Sequence, residues 1–191
     1  MLDRRIFLAS AAAVAACGRP SASEAQPDTS ADTTASTPAP GAPSRRESAP
    51  RIVAMGEASE DFASFTREDW RARLTEAEFD VLRREGTERP GSSPLLEESR
   101  AGTYICAGCA LPLFRSETKF ESGTGWPSFY THIEGALETK TDLRLWTPRT
   151  EYHCVRCEGH QGHVFEDGPE PTGERWCNNG VALDFVPDTA T

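Results

Sequence analysis

The chain has 191 residues, with 30 acidic against 20 basic side chains and a formal charge of −10. That length fits one domain, or one domain with a tail, and the acidity excludes the basic stripe that a nucleic-acid surface needs. No apolar run approaches the ~18 residues of a spanning helix, and six cysteines are too few for a disulfide-dense miniprotein.

Residues 1–17 read as an export signal. Arg4 and Arg5 precede a short apolar stretch, the pattern of a twin-arginine-type signal. Val14-Ala15-Ala16-Cys17 closes it and resembles the lipobox of bacterial lipoproteins. That string predicts lipidation at Cys17 and an acyl anchor on the periplasmic side of a bacterial membrane. The plainer reading is a cleaved signal with an incidental cysteine. Residues 18–58 follow as a tether of Ala, Ser, Thr and Pro. From Gly18 to Pro50 no Ile, Leu, Val, Met or aromatic occurs, so little apolar surface is available to offset the entropy of ordering it.

The folded domain is expected over 59–191. Thr66-x-x-Asp69 and Thr75-x-x-Glu78 have the form of capping boxes, each ahead of an apolar pattern: Trp70 and Leu74, then Phe79 and Leu82. They predict two short helices, the second stopping at Gly86. Thr87 to Pro94, with Pro90-Gly91, reads as a loop. Beyond Gly102, short apolar runs alternate with Gly, Pro and charged turns. Strands are predicted at Thr103–Ile105, Gly135–Leu137, Leu143–Trp146, His163–Phe165 and Val181–Phe185. With no βαβ rhythm, the pattern predicts a mainly β, α+β domain: antiparallel sheets behind two N-terminal helices.

Cys106-x-x-Cys109 and Cys154-x-x-Cys157 form two matched pairs. Two CxxC turns aim four soft, anionic sulfurs at one point, which suits a closed, structural Zn²⁺ site. Gly108 is expected to free the first turn. Two disulfides or a redox pair are the alternatives, and export makes disulfides possible. Cys177 is left over, in Arg175-Trp176-Cys177-Asn178-Asn179. An unpaired cysteine in an exported protein is a candidate reactive thiol, and Arg175, two residues away on the same face of a strand, is expected to favour its thiolate. The bland reading is a buried, inert cysteine. His160 and His163 are candidate general acids, or less readily metal ligands. His132 and His153 read as surface or core residues. Trp126, between Gly125 and Pro127, is either core or the wall of an apolar pocket.

These strings together resemble the type B peptide methionine (R)-S-oxide reductases. The resemblance rests on the two CxxC pairs, Pro112-Leu113-Phe114, Lys119 to Gly123, Gly125-Trp126-Pro127-Ser128-Phe129, His160-x-Gly162-His163-Val164-Phe165-x-Asp167-Gly168-Pro169, Pro171-Thr172-Gly173, and Arg175-Trp176-Cys177-x-Asn179. It runs from about Phe65 to Phe185. It implies two antiparallel sheets in a tent-like fold, with a structural zinc remote from the chemistry. It also implies Cys177 as nucleophile, with His163, His160 and Asn179 in the active site. Trp126 would pack on the substrate methyl group, with Arg175 and Asp167 in support. Many members place a resolving cysteine where this chain has Thr124. That departure predicts a one-cysteine cycle here, closed by a thioredoxin-like protein or a small thiol, in an enzyme that repairs oxidised methionine; a monomer is expected. A non-catalytic, membrane-tethered zinc module is the competing reading, since fold alone does not carry function. A thiol peroxidase or disulfide exchanger is a third.

Overall fold

The computed structural model describes residues 60–189. The expected signal at 1–17, its Cys17 and the tether over 18–58 lie outside them.

Both capping boxes form. Thr66 accepts from the Asp69 N–H while the Asp69 carboxylate accepts from the Thr66 N–H, opening α1 (Arg67–Arg73). Thr75 and Glu78 do the same for α2 (Glu76–Arg84). Two otherwise unpaired N–H groups are thus satisfied at each helix start. α2 ends one residue earlier than Gly86 predicts: Glu85 takes the left-handed turn at φ 57°, and the Gly86 N–H closes onto the Asp80 carbonyl at 3.0 Å. A Cβ at Gly86 would lie 3.1 Å from the Asp80 carbonyl and would displace the Asp80 carboxylate, so glycine fits closely there.

Among the described residues nine strands follow: β1 (Gly102–Cys106), β2 (Pro112–Arg115), β3 (Lys119–Phe120), β4 (Ser128–Phe129), β5 (Leu137–Asp142), β6 (Arg149–Cys154), β7 (His160–Phe165), β8 (Arg175–Asn178) and β9 (Leu183–Pro187). They form two sheets, in the orders β2-β1-β9 and β3-β4-β8-β7-β6-β5, with every pairing antiparallel. The mainly β, α+β class with two antiparallel sheets and two short helices is what the sequence predicts.

Three predicted strands move. Gly135 adopts φ +72° in a turn, so the strand starts at Leu137. Val181 sits in a 3-10 turn, Gly180–Ala182, and the strand starts at Leu183. Leu143–Trp146 is no strand at all. The Asp142 carboxylate accepts the Arg144 N–H at 2.9 Å, which bends the chain into a hairpin tip and leaves Leu143, Leu145 and Trp146 exposed. Local apolar alternation lost there to a side chain that competes for the backbone.

The period-2 geometry of the six-stranded sheet sorts its residues cleanly. One face carries Tyr152, Trp176 and Phe129 into the core. There Phe129 stacks on Phe114 of the small sheet at 4.1 Å and meets Tyr104 at 5.0 Å, joining the two sheets. The opposite face carries polar residues. Cross-strand partners place Lys140, Glu151, His163, Cys177 and Ser128 in one continuous row over β5, β6, β7, β8 and β4. That row needs Gly162: a Cβ there would lie 1.9 Å from the Cys177 carbonyl, so only glycine lets β8 approach β7 at this register.

Candidate active site

Cys177 is half-buried in this row, between Ser128 on β4 and His163 on β7. Residues paired across strands have their Cβ atoms about 5 Å apart, so imidazole and thiol share one small space. Burial pushes the Cys177 thiol up. Arg175 and the hydroxyls of Thr124 and Ser128 pull it down without cancelling that effect. Arg175 favours the thiolate as the sequence predicts, but desolvation is the larger effect. A thiol held protonated needs a base beside it.

The imidazoles are each gripped by a carboxylate. His163 lies 2.8 Å through Nε2 from Asp142 Oδ2, and His160 lies 2.6 Å through Nδ1 from Glu151 Oε1. The two rings meet edge to face at 5.5 Å. Burial lowers the His163 pKa, Arg149 and His160 lower it further, and Asp142 only partly offsets them. His160 is sealed, and its Nε2 is buried without a hydrogen-bond partner among the described residues. Glu151 is fully buried. Burial alone would raise it, yet the His160 and His153 hydrogen bonds and Lys140 bring it below its ordinary value. Asp142 is held well below the carboxylate range by the Arg144 N–H, His163 and the Arg149 and Arg144 guanidiniums.

Neither Asp142 nor Glu151 stands out in the sequence. Glu151 and Arg149 sit two apart on β6 and so share His163's face, but that parity becomes informative only once the β6–β7 register is known. His153, expected as a surface or core residue, sits 3.3 Å from Glu151, and His132 packs edge-on against Trp176.

Arg175 donates twice to Asp167, at 2.8 and 2.9 Å, and its guanidinium lies 4.3 Å from the Phe165 ring centroid. This fixes the cation beside Cys177. The Asn179 amide is used as a brace. Its Nδ2 donates to the Gln161 carbonyl at 2.9 Å, and its Oδ1 accepts the Glu88 N–H at 3.1 Å. Glu88 in turn accepts the Trp126 indole N–H at its carbonyl, at 3.2 Å, and the Gly180 and Val181 N–H groups at its carboxylate. The half-buried Trp126 is thus held on a loop that also carries Ser122 and Thr124, and the Ser122 hydroxyl lies 2.8 Å from those of Thr124 and of Ser128 on β4. Two surface hollows, of 280 and 770 Å³, are lined by neither Cys177 nor the two histidines.

At the other end of β6 and β7, Cys106, Cys109, Cys154 and Cys157 converge, all four sulfurs within 4.8 Å of one another and buried. Sγ of Cys106 lies 3.6 Å from that of Cys157, and Cys109 lies 3.5 Å from Cys154. Four sulfurs at about 2.3 Å from a central zinc stand about 3.8 Å apart, so the cluster has the right size. All four cysteines are free, so the disulfide alternative is set aside. The flexibility expected of Gly108 lies elsewhere. The left-handed residues are Ala110 and Glu158, each just after the second cysteine of its pair, and each N–H closes back to the first cysteine's carbonyl at 2.8 Å. Gly108 instead leaves room beside the Cys157 sulfur, 3.4 Å from where its Cβ would be. Arg83 and the Gln161 amide lie 3.8 and 3.3 Å from the Cys157 and Cys106 sulfurs, donors suited to thiolates.

The SelR domain family matches residues 74–187. A peptide methionine sulfoxide reductase MsrB of Leifsonia xyli is 53% identical over 123 residues, covering 63% of this chain and 88% of the relative. The Pseudomonas putida protein of that name is 53% identical over 123 residues, covering 64% and 92%. The Methanosarcina mazei protein is 50% identical over 127 residues, covering 66% and 91%. Family match, relatives and fold agree: the chain belongs to the SelR family and is an oxidoreductase of the type B peptide methionine sulfoxide reductases.

Proposed function

We propose that the chain reduces the R epimer of peptide-bound methionine sulfoxide through a sulfenic acid on Cys177. The observation that carries this is the placement of a half-exposed thiol in register with His163 and Ser128, beside Arg175 and below the Trp126 loop. A sulfoxide sulfur is electrophilic, but its oxygen leaves only when protonated. The thiol supplies the nucleophile, and the paired imidazoles supply a proton path. The donors around Cys177 favour charge developing on the oxygen, and Trp126 offers an apolar surface for the methyl group. The stereochemistry rests on family membership. The test is turnover of dabsylated methionine sulfoxide with dithiothreitol, run on each epimer. Consumption of the R form alone is expected, and consumption of the S form alone would overturn the assignment.

The sulfenic acid is regenerated by an external thiol, a thioredoxin-like protein or a small molecule. Thr124 stands on the facing loop, and the other described cysteines are the clustered four, so no described thiol is free to resolve it. Cys106, Cys109, Cys154 and Cys157 hold Zn²⁺, which supplies structural cross-linking with a closed shell and no open position for substrate. The chain is exported and anchored by lipid on Cys17 at the periplasmic face, a reading supported by Arg4-Arg5 and Val14-Ala15-Ala16-Cys17. Mass spectrometry of the mature N-terminus is expected to find an acylated Cys17. An unmodified first residue at another position would sink that proposal.

A further inference from the structure

We propose that Asp142 is a positioning residue for proton transfer at Cys177: it fixes the His163 tautomer with Nε2 protonated, leaving Nδ1 as the proton acceptor. This rests on Cys177 being the nucleophile. The geometry is specific. Asp142 is the last residue of β5, two strands from His163, and it reaches across the sheet from the base of the exposed hairpin tip. Its Oδ1 accepts the Arg144 N–H at 2.9 Å and the Arg144 Nε–H at 3.2 Å. Its Oδ2 accepts Arg149 Nη2 at 2.7 Å and faces His163 Nε2 at 2.8 Å. Every neighbour but the imidazole can only donate, so the carboxylate is anionic and the imidazole nitrogen facing it carries hydrogen. The other ring nitrogen, Nδ1, has no hydrogen-bond partner among the described residues.

His163 is faced by Asp142 from β5, Arg149 and Glu151 from β6, Cys177 and Arg175 from β8, and His160 on its own strand. The buried setting, Arg149 and His160 disfavour a second proton on the ring and outweigh Asp142, so it rests neutral with its lone pair on Nδ1. The Cys177 thiol proton moves to Nδ1 as Sγ becomes the nucleophile, and from Nδ1 it reaches the sulfoxide oxygen. The substrate S–O bond breaks and an S–O bond to Cys177 forms. The methionine sulfur gains two electrons, Cys177 loses two, and the proton ends on the sulfenic acid. No further reagent is needed for this half-reaction.

Asparagine at 142 cannot serve. If its oxygen stays on the two Arg144 donors, its NH₂ occupies the Oδ2 position and points hydrogen at His163 Nε2. The imidazole must then carry its proton on Nδ1, where it cannot accept from the thiol. The full-length protein is assayed on methionine-R-sulfoxide as wild type, Asp142→Asn and Asp142→Glu. Asp142→Asn should lower kcat by about 10² to 10³-fold, with KM within twofold and the acid limb of the pH profile moved to lower pH. Asp142→Glu should recover at least tenfold of that. Imidazole ¹⁵N spectra should show His163 protonated on Nε2 in the wild type and on Nδ1 in Asp142→Asn. A kcat within threefold of wild type for Asp142→Asn overturns the proposal. So does a wild-type His163 protonated on Nδ1, a measurement that needs no folded variant. An inactive wild type would instead count against the Cys177 reading itself.

Discussion

Cys177→Ser should lose at least about 10³-fold in turnover of methionine sulfoxide while keeping its fold. Serine nearly matches cysteine in size and fits the same half-buried place between Ser128 and His163. What changes is the chemistry. A hydroxyl is a far weaker nucleophile, and its oxygen cannot take up a second oxygen as a sulfur can, so the sulfenic acid has no counterpart. Unchanged thermal unfolding alongside lost turnover would locate the defect in the reaction. Retained turnover would remove Cys177 from the chemistry. The raised thiol pKa adds a second readout on the wild type. Desolvation holds the proton on Cys177 at neutral pH, so alkylation by iodoacetamide should still be climbing with pH where an ordinary thiol has levelled. A plateau at lower pH would mean that Arg175, Thr124 and Ser128 outweigh burial after all.

The parts of this site that depend on local chemistry can be read along the chain. Thr66 and Thr75 cap their helices because a hydroxyl three residues before an acid satisfies two N–H groups without help from the rest of the fold. The cysteine pairs find each other because each CxxC turn is itself a local structure. The parts that depend on register cannot be read so directly. Asp142 and His163 stand 21 residues apart and meet only because β6 lies between β5 and β7 at one particular offset. Leu143–Trp146 has the composition of a strand, and only the Asp142 side chain, committed to Arg144, turns it into an exposed tip. Asn179 lies beside the nucleophile in sequence, yet its amide braces Gln161 and Glu88, contacts that no spacing rule reports.

Cys109→Ser should lower the unfolding temperature by on the order of 10 °C or more, and should cut both bound zinc and activity. A tetrathiolate zinc contributes free energy comparable to the entire stability of a domain, about 10 against 5–15 kcal/mol. Without a cation, the four sulfurs are poor company. Their mutual contacts, with burial, push Cys106, Cys109 and Cys154 well above the ordinary thiol range and hold Cys157 below it, so three of the four would keep their protons and give up their charge. The consequence reaches the chemistry through Gln161. Its side chain donates to the Cys106 sulfur, its carbonyl holds both the Asn179 amide and the Asn179 N–H, and its neighbours on β7 are His160 and Gly162. Loosening the cluster therefore frees the strand that sets His163 against Cys177. The measurement is zinc per chain, by elemental analysis, set beside thermal unfolding and turnover for the wild type, Cys109→Ser and the chelator-treated protein. Stability and turnover falling in step with zinc is the expected result. A zinc-free protein that unfolds at the wild-type temperature would show that the four sulfurs hold the fold by packing alone.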